Sequence, residues 1–491
     1  MYDAILVGAG TAGCVLAGRL VEAGWQVAVI EAGPRDRSPL IHNPQCGQQA
    51  LREGLRWSYE TEPQPCMVGR RRGLDRARVV GGCSSINSLV YVRGHAAEYD
   101  HWAVPGWSYA ELVPAFEAVE ARLQPRLPDH LSAVATAFCH GAVELGLLGP
   151  EWNFNTGQLA GGAGPYVLTL TPDGQRNSAA RAFLKPVEHQ PGLRLVCDSP
   201  VEKILVDKGR VVGVQCRHPD EGLRTFRADR VVLCAGAIGT PQLLMLSGIG
   251  PADALRKLGL QVEVDSPEVG QNLQDHLAVP CIYELQHPTS HPSVLPESGL
   301  FLGGDESSPF PSLQFHVHGA APWQKPDLPL DTGRCMVQGI LTRPQSRGRL
   351  WLTSAHPQSP PALDPAYLSA AHDRDLLVAA VEWCRACAAT RAWGASLSQE
   401  AFPLTKGAQL LEIVAAWTDP MGHLACTARM GTDSRSVVDP HLRVRGVEGL
   451  WAADASILPE MISGNLQALC FAIGYKAADL MLAEKAVGRP E

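Results

Sequence analysis

The sequence lacks a basic cluster and, near its N-terminus, an unbroken apolar run. Lys and Arg number 42 against 50 Asp and Glu, which gives a formal net charge of −8. Without a basic block, nothing attracts the chain to a phosphate backbone, so nucleic acid is not expected as a partner. The apolar stretch at 4–18 follows Asp3 and is interrupted by four glycines, which argues against a signal peptide and a membrane span. We therefore expect a cytoplasmic protein.

The chain also lacks the cysteine spacing of a disulfide framework. Its 14 cysteines are scattered, which in a long chain of this kind indicates reduced thiols. Cys384 and Cys387 form a CxxC pair, but they lie within a helical pattern at 376–393 and far from any βαβ pattern. We expect neither a redox nor a zinc role for this pair, and the sequence predicts no metal site.

A dinucleotide-binding pattern begins the chain. An apolar run at 3–7 leads into GAGTAG at 8–13, an apolar helix pattern, and a second apolar run that ends before Glu31. In such a unit the glycines allow a tight turn, a close approach to a pyrophosphate and close packing of the helix on the strand. Glu31, 18 residues after the last glycine, suits a carboxylate that binds a ribose hydroxyl. The contacts predicted from this unit are Gly8, Gly10, Thr11, Ala12, Gly13, Glu31 and Ala32.

This fingerprint is common to FAD and NAD and does not choose between them. The sequence contains no second GxGxxG, although flavoenzymes that also bind a nicotinamide usually carry two such units. Two alternatives therefore remain from the residues alone: FAD with a non-nicotinamide electron acceptor, or NAD by itself.

Separated segments continue the same domain. The stretch 230–244 has the pattern of a buried strand, a glycine turn and a helix, while 450–454 and 466–482 indicate a further strand and a closing helix. Between them, 193–206 and 211–217 alternate apolar and polar residues around a turn, which predicts a β-hairpin. A dinucleotide domain assembled from non-consecutive segments follows, and the length of 491 residues leaves room for at least one more domain.

The middle of the chain has a different pattern. Residues 277–420 are rich in Pro and His and contain short alternating runs, such as 313–317 and 349–353, that predict an antiparallel sheet. An amphipathic helix over 376–389 is expected to cover it. The predicted fold class is therefore α/β plus α+β: a Rossmann-like cofactor domain built from discontinuous segments, and a substrate domain centred on an antiparallel sheet.

Six motif segments follow one another along the chain: RVVGGCSSINSLVYVRG (78–94), AGAIGTPQLLMLSGIGP (235–251), VGQNLQDHL (269–277), HLACTARMG (423–431), VDPHLRVRGVEGLWAADASILP (438–459) and SGN (463–465). Their order and content resemble the glucose-methanol-choline (GMC) oxidoreductase family of FAD-dependent alcohol oxidases and dehydrogenases. The choline-dehydrogenase-like branch and the branch of small bacterial alcohol oxidases of the pyridoxine 4-oxidase kind are equally compatible. The resemblance implies an FAD-binding domain at 1–155, 193–277 and 423–491, and a substrate domain at 156–192 and 278–422.

The resemblance also places the VGGCSSIN segment beside the flavin ring. Some family members attach FAD through a histidine just before the asparagine of this segment; here that position is Ile86, so noncovalent FAD is expected. Cys83, the nearest alternative for a covalent link, is expected to be structural. The flavin contacts that the resemblance adds are Gly82, Ser84, Asn87, Ser88, Val201, Asp454, Ala455, Asn465 and Leu466.

For catalysis, the resemblance assigns His423 as the base that takes the hydroxyl proton, because HLACTARMG matches the family's catalytic-histidine motif. Histidine suits this task, since its ordinary pKa near 6.5 leaves it largely neutral at physiological pH. Asn465 stands where the family has a His or Asn beside the alcohol oxygen; capping of the helix that follows is its alternative role. Leu424 and Cys426 replace the Pro and Gly that usually follow the catalytic histidine.

Other polar residues receive weaker assignments. Gln467 departs from the family's more common Asn-x-Asn pattern, which leaves the shape of the pocket open. His316 and His318 alternate along a predicted strand and are expected to be ordinary sheet residues, with a pocket-lining role as the alternative.

The function predicted from the resemblance is oxidation of a primary or secondary alcohol to an aldehyde or ketone, with hydride transfer to FAD and electrons passed to O2 or another acceptor. A hydroxynitrile lyase that keeps FAD without redox turnover is the first alternative, because fold does not fix function. An NAD-linked dehydrogenase is the second.

Overall fold

A parallel sheet forms the centre of one half of the molecule. The computed structural model describes residues 2–290, 292–303, 309–321 and 331–487. Four of its five strands are short and buried on both faces, which is why their sequences are continuous apolar runs and do not alternate, whereas the edge strand Leu193–Val196 includes the exposed Arg194. In spatial order the strands are Leu450–Ala452, Val231–Leu233, Ala4–Val7, Val27–Ile30 and Leu193–Val196.

Two of the longer helices near this sheet pack closely against each other. The Leu466–Val487 helix lies on the Thr11–Glu22 helix, and a Cβ at Gly474 would overlap the carbonyl oxygen of Ala12. By length and composition, Leu466–Lys485 is also the one candidate membrane span among the described residues, but 56% of its apolar window is buried inside the fold. Its apolar character is therefore explained by packing in the core.

An antiparallel sheet forms the centre of the other half. In spatial order its strands are Leu397–Phe402, Leu277–Leu285, Arg334–Leu341, Leu313–His318, Ser298–Leu302 and Ala163–Pro165, and Asp419–Pro420 also pairs with Leu277–Leu285. The Ala371–Ala388 helix covers it so closely that a Cβ at Gly339 would stand 2.7 Å from the Cβ of Ala380. The helices Ala133–Glu144, Arg391–Gly394 and Ala408–Trp417 complete this layer.

Four small sheets and six further α-helices complete the described part of the fold. The small sheets are formed by Val201–Asp207, Arg210–His218 and Gly222–Phe226; by Arg56–Glu60 and Gly73–Ala77; by Ile249–Gly250 and Val264–Asp265; and by Arg349–Trp351 and Ala362–Asp364. The remaining α-helices are Pro39–His42, Gly47–Ala50, Ala96–His101, Tyr109–Leu123, Gly236–Leu246 and Ala252–Lys257.

The predicted fold class, a mixed fold with a parallel and an antiparallel sheet, is confirmed, but two strand predictions are wrong. The run 193–206 is two strands: Leu193–Val196 joins the parallel sheet, and Val201–Asp207 begins the hairpin after a left-handed turn at Asp198, where φ is 52°. The run 349–353 forms Arg349–Trp351, which pairs with Ala362–Asp364 outside the main antiparallel sheet. In both cases the alternation identified a strand but not its partner, because partners are set by distant residues.

The domain boundaries remain a prediction, and two elements bear on them. The Ala133–Glu144 helix, which the prediction gives to the FAD-binding part, packs in the core of the antiparallel sheet. The turn Ala180–Leu184, which it gives to the substrate part, packs on the Thr11–Glu22 helix. The two halves therefore exchange elements near the predicted boundaries.

Candidate active site

The glycine-rich turn and the 82–88 loop meet backbone to backbone. Gly8 has φ of +103°, and a Cβ there would stand 2.5 Å from the carbonyl oxygen of Cys234. Gly82 has φ of +53°, and its Cβ would stand 2.6 Å from the Cα of Gly10. Gly10 is also the N-cap of the Thr11–Glu22 helix and offers no side chain to its N–H groups. These first N–H groups, including those of the predicted contacts Thr11, Ala12 and Gly13, are therefore available to an anion.

Glu31, directly after the Val27–Ile30 strand, binds the backbone of the glycine-rich turn and of the loop that follows the strand. Its carboxylate accepts hydrogen bonds from the N–H groups of Ala9 and Gly33, each at 2.8 Å. Burial raises the pKa of Glu31 to about 7, although these bonds act in the opposite direction. The N–H of Ser199 donates to the carbonyl of Glu31 at 2.9 Å, and this bond brings the start of the Val201–Asp207 strand to the same end of the sheet. Predicted contacts Glu31, Ala32 and Val201 therefore lie in one region.

Most polar side chains of the 82–88 loop bind the protein itself. The Ser84 hydroxyl donates to the carbonyl of Gly81 at 2.6 Å and accepts from the N–H of Ala179 at 2.9 Å. Asn87 donates to Oε1 of Gln467 at 2.9 Å, while its oxygen accepts from Arg176 at 3.0 Å. The neighbouring Ser88 is exposed. The loop therefore presents its backbone and Ser88 outward, while Ser84 and Asn87 fix its shape.

The Asp454 side chain binds the N-termini of two helices, Gly236–Leu246 and the short 3₁₀ helix Ala455–Ile457. Its carboxylate accepts from the N–H of Gly236 at 2.9 Å, the hydroxyl of Thr240 at 2.6 Å and the N–H of Ser456 at 2.8 Å. These bonds leave little of the carboxylate for a ligand and orient the turn that starts at the predicted contact Ala455. Burial raises the pKa of Asp454, against the effect of these donors.

Asp275 and His276 hold His423 from two directions. The backbone N–H of His423 donates to Asp275 at 2.6 Å, and the other oxygen of Asp275 accepts from the hydroxyl of Tyr367 at 2.8 Å. The Nδ1 atoms of His423 and His276 are 2.9 Å apart, with the two rings nearly perpendicular. Nε2 of His423 has no hydrogen-bond partner among the described residues, so it is the free nitrogen of the ring.

The imidazole rings of His423, His276 and His316 are uncharged at neutral pH. Burial, aided by His276 and His316, lowers the pKa of His423 well below its ordinary value. Burial also lowers the pKa of His276 to about 4 and that of His316 to about 3. At neutral pH the three imidazoles are uncharged, and each carries a nitrogen lone pair able to accept a proton or hydrogen bond.

The orientation of the Asn465 amide is set by a chain of hydrogen bonds. The hydroxyl of Tyr166 donates to the carbonyl of Phe315 at 2.8 Å and accepts from Nε2 of Gln314 at 3.3 Å. The same Nε2 donates to Oδ1 of Asn465 at 3.0 Å. The Asn465 oxygen is thus bound to Gln314 and not to the first turn of the Leu466–Val487 helix, which leaves its NH2 group to act as a donor.

Sequence reasoning brought some of these residues together and missed others. His316 lies two residues from Gln314 on the same strand, and Gln314 binds Asn465. The ring of His316 also acts on the pKa of His423, and its Nε2 has no partner in the described part of the chain, which favours the pocket-lining alternative for this residue. His318 instead bonds within its sheet region, to Val294 and Gln338. His276 and Gln314 were missed, although the first lies in the VGQNLQDHL motif and the second alternates with His316 on one strand.

Comparisons with known proteins agree with this geometry. The two halves of the GMC oxidoreductase family profile match residues 2–278 and 344–474. Alcohol dehydrogenase [acceptor] of Pseudomonas putida is 32% identical over 98% of this chain and 96% of its own. Mitochondrial choline dehydrogenase of Homo sapiens is 34% identical over 99% of this chain and 90% of its own.

A solved structure extends the agreement to the fold. Pyridoxine 4-oxidase from Mesorbium loti has a TM-score of 0.91 and 30% identity, and the match covers 98% of this chain and 99% of that one. The matches span both sheets and the segments that carry His423 and Asn465. This chain belongs to the GMC oxidoreductase family.

Proposed function

We propose that this protein binds FAD noncovalently and oxidises a primary or secondary alcohol to an aldehyde or ketone, with O2 or another molecule as electron acceptor. One observation carries the proposal: His276 joins the ring of His423 to the carbonyl of Ile462, three residues before Asn465, so the two assigned residues lie close together. His423 is uncharged and its Nε2 has no partner among the described residues, while Asn465 gives its oxygen to Gln314 and keeps its NH2 group as a donor. A base and a hydrogen-bond donor in one site are what removal of a hydroxyl proton requires. The cytoplasmic location remains a prediction.

The residues of the first half fit FAD. The free N–H groups after Gly10 suit a pyrophosphate, and Glu31 retains lone pairs for a ribose hydroxyl after binding Ala9 and Gly33. The contact between Gly82 and Gly10 keeps side chains out of the space beside the turn. Ile86 precedes Asn87 in the loop, and no histidine is present there to form a covalent link. FAD, when bound, supplies the acceptor for the hydride.

The protein residues divide the remaining work between them. Nε2 of His423 takes the proton of the substrate hydroxyl, and the buried surroundings of the ring keep it uncharged beforehand. The NH2 group of Asn465 donates a hydrogen bond to the alcohol oxygen and stabilises the negative charge that develops there. Asp275 holds the backbone of His423 in place, since its bond to the His423 N–H fixes the start of this segment.

His423→Ala tests the proposal. Mixed anaerobically with a panel of alcohols, the parent enzyme is expected to bleach the flavin, and the variant to do so at least 100-fold more slowly because general base catalysis contributes about 10²–10⁴-fold. His441→Ala, at an exposed histidine, is the matched control and is expected to behave as the parent. Repeating the successful reaction in air and measuring peroxide distinguishes O2 from another acceptor.

Two outcomes would contradict the proposal. A His423→Ala protein that bleaches at the parent rate would remove the base from its assigned role. A yellow parent protein that no alcohol bleaches, but that cleaves a cyanohydrin, would favour a lyase on this fold.

A further inference from the structure

A continuous hydrogen-bonded row leads from a backbone carbonyl to the free nitrogen of His423. His276 is fully buried, with Nε2 lying 2.9 Å from the carbonyl oxygen of Ile462 and Nδ1 lying 2.9 Å from Nδ1 of His423. Ile462 belongs to the segment just before Asn465, so the row begins beside one assigned catalytic residue and ends at the other.

Only one arrangement of protons satisfies this row with uncharged rings. The carbonyl of Ile462 can only accept, so Nε2 of His276 must carry its proton. A neutral imidazole has one N–H, so Nδ1 of His276 is then an acceptor. The 2.9 Å contact needs a donor, and Nδ1 of His423 must supply it. The only ring nitrogen of His423 left without a proton is Nε2.

We propose that His276 is a positioning residue that selects the tautomer of His423, so that Nε2 is always the proton acceptor. The proposal rests on the proposed function, because it assumes that His423 is the base. Without such a partner, a neutral histidine side chain in water favours the opposite tautomer, and most of the sites would present Nε2–H, which cannot take a proton.

The surroundings oppose the alternative in which His276 carries a second proton. Complete burial of the ring lowers the pKa of His276 to about 4, although the backbone of Ile462 and Thr342 acts in the opposite direction, and the positive charge of Arg343 lowers it further. Arg76, whose guanidinium donates to the carbonyl of Gly422, opposes protonation of His423 in the same way. The neutral pair is therefore the stable form of the row.

The neighbouring Asp275 makes this role separable from simple support. Asp275 binds the backbone N–H of His423 at 2.6 Å, whereas His276 contacts only the ring. Loss of the His276 side chain thus leaves the backbone anchor in place and changes which ring nitrogen carries the proton.

The test uses holoenzyme labelled with ¹⁵N-histidine, in which the imidazole shifts distinguish protonated from unprotonated nitrogen. In the parent, the His423 signals, identified by their loss in His423→Gln, are expected to show Nδ1–H and bare Nε2. His276→Leu is expected to shift His423 toward Nε2–H and to slow anaerobic flavin reduction by about 10- to 100-fold with little change in substrate Kd. His276→Gln, which keeps a donor and an acceptor, is expected to restore most of both.

The outcomes separate this inference from the proposed function. A parent spectrum with the proton on Nε2 of His423 overturns the tautomer assignment without any variant and without turnover. His276→Leu with the parent tautomer and the parent reduction rate also overturns it. Activity that persists in His423→Ala instead contradicts the proposed function, because His423 is then not the base. The ¹⁵N shifts of the parent protein still report which nitrogen of His423 carries the proton.

Discussion

The two assigned catalytic side chains have opposite hydrogen-bonding roles, and each role is set by a different neighbour. Asn465 gives its oxygen to Gln314, so only its nitrogen is free; His423 gives Nδ1 to His276, so only Nε2 is free. In the proposed function, a donor and an acceptor would thus face the same substrate hydroxyl. Because His423 is the proposed base, residue 465 needs only to donate a hydrogen bond, and the amide of asparagine can do so.

Asn465→Asp tests the donor role directly. The substitution keeps an oxygen for Gln314 but replaces the NH2 donor by a second oxygen, which would place negative charge beside the developing alkoxide. We expect flavin reduction by a good alcohol to slow by about 100-fold or more, since loss of one such donor typically costs about 10²–10³. Asn465→His, which can still donate, should retain most of the rate. Equal rates in Asn465→Asp and the parent protein would rule out the donor role.

At the scale of single residues, the sequence predicts His423 and Asn465 as a catalytic pair but not the side chains that bind them in the structure. The resemblance of HLACTARMG to a family motif points to His423, and SGN points to Asn465. The partners are joined to them by hydrogen bonds between residues 147 and 151 positions apart, and no local pattern contains such a contact. Only the pairing of strands and loops in space reveals His276 and Gln314.

At the scale of elements, a buried arginine organises the loop beside the glycine turn. The Arg176 guanidinium donates to the carbonyls of Ile41 at 2.9 Å, Ser84 at 3.3 Å and Asn87 at 2.7 Å. It is 1% exposed and forms no ion pair with a carboxylate in the described residues, and its burial lowers the pKa of the guanidinium to about 10. The loop therefore depends on one cation held by backbone carbonyls.

Arg176→Met should loosen this loop selectively. Two loop carbonyls lose a charged donor, each worth about 1.5–3 kcal/mol, so amide hydrogen exchange in 82–90 should accelerate by tenfold or more. Hydrogen-exchange mass spectrometry of the holoenzyme measures this effect. Arg181→Met, at a partly exposed arginine nearby, is the control and should leave the loop unchanged. Unchanged protection in Arg176→Met would show that the loop is held by other contacts.

Elements with strong local signals were predicted well, and those defined by distant pairing were not. The GAGTAG turn and the helix after it follow from glycine sterics and apolar periodicity within 8–22. The 193–206 run has the alternation of one strand, but Asp198 adopts φ of 52° and splits it between two sheets. A single left-handed residue therefore changed the topology of this segment.

At the scale of the whole molecule, buried carboxylates make stability depend on pH. Burial raises the pKa of Asp275 from 3.8 to about 7 in the folded protein, in spite of its bonds to Tyr367 and His423. The native state therefore binds the proton more tightly than the unfolded state. The resulting stabilisation is complete below about pH 4 and is lost as the pH rises through 7.

Asp275→Asn should flatten this dependence. The loss between pH 4 and 8 should shrink by at most about 4 kcal/mol, the value of a three-unit difference in pKa. Urea unfolding at pH 4 and pH 8 gives the measurement, and Asp220→Asn, at an exposed residue, is the control. Because Glu31 titrates over the same range, a residual slope is expected in the variant. An undiminished slope would show that Asp275 is ionised in the folded protein at acidic pH.

The whole architecture was predictable in kind, since apolar runs at the beginning, middle and end of the chain indicated one parallel sheet. Its detailed boundaries were not, because the Ala133–Glu144 helix packs in the core of the antiparallel sheet although the helix before it in sequence, Tyr109–Leu123, packs in the core of the other half. The local sequence pattern of a segment predicts its secondary structure but not the hydrophobic core in which the segment packs.

The packing of the Leu466–Val487 helix on the Thr11–Glu22 helix fixes the distance between the first residues of the two helices. One helix begins directly after Asn465 and the other begins at the glycine-rich turn, and a Cβ at Gly474 would overlap the carbonyl oxygen of Ala12, so no side chain separates the two helices there. Gln314 and His316 come from the other half, on a single strand. If the proposed function holds, strands of the antiparallel sheet next to this one could change the substrate that is accepted, while the two packed helices keep the distance between the glycine-rich turn and Asn465 constant.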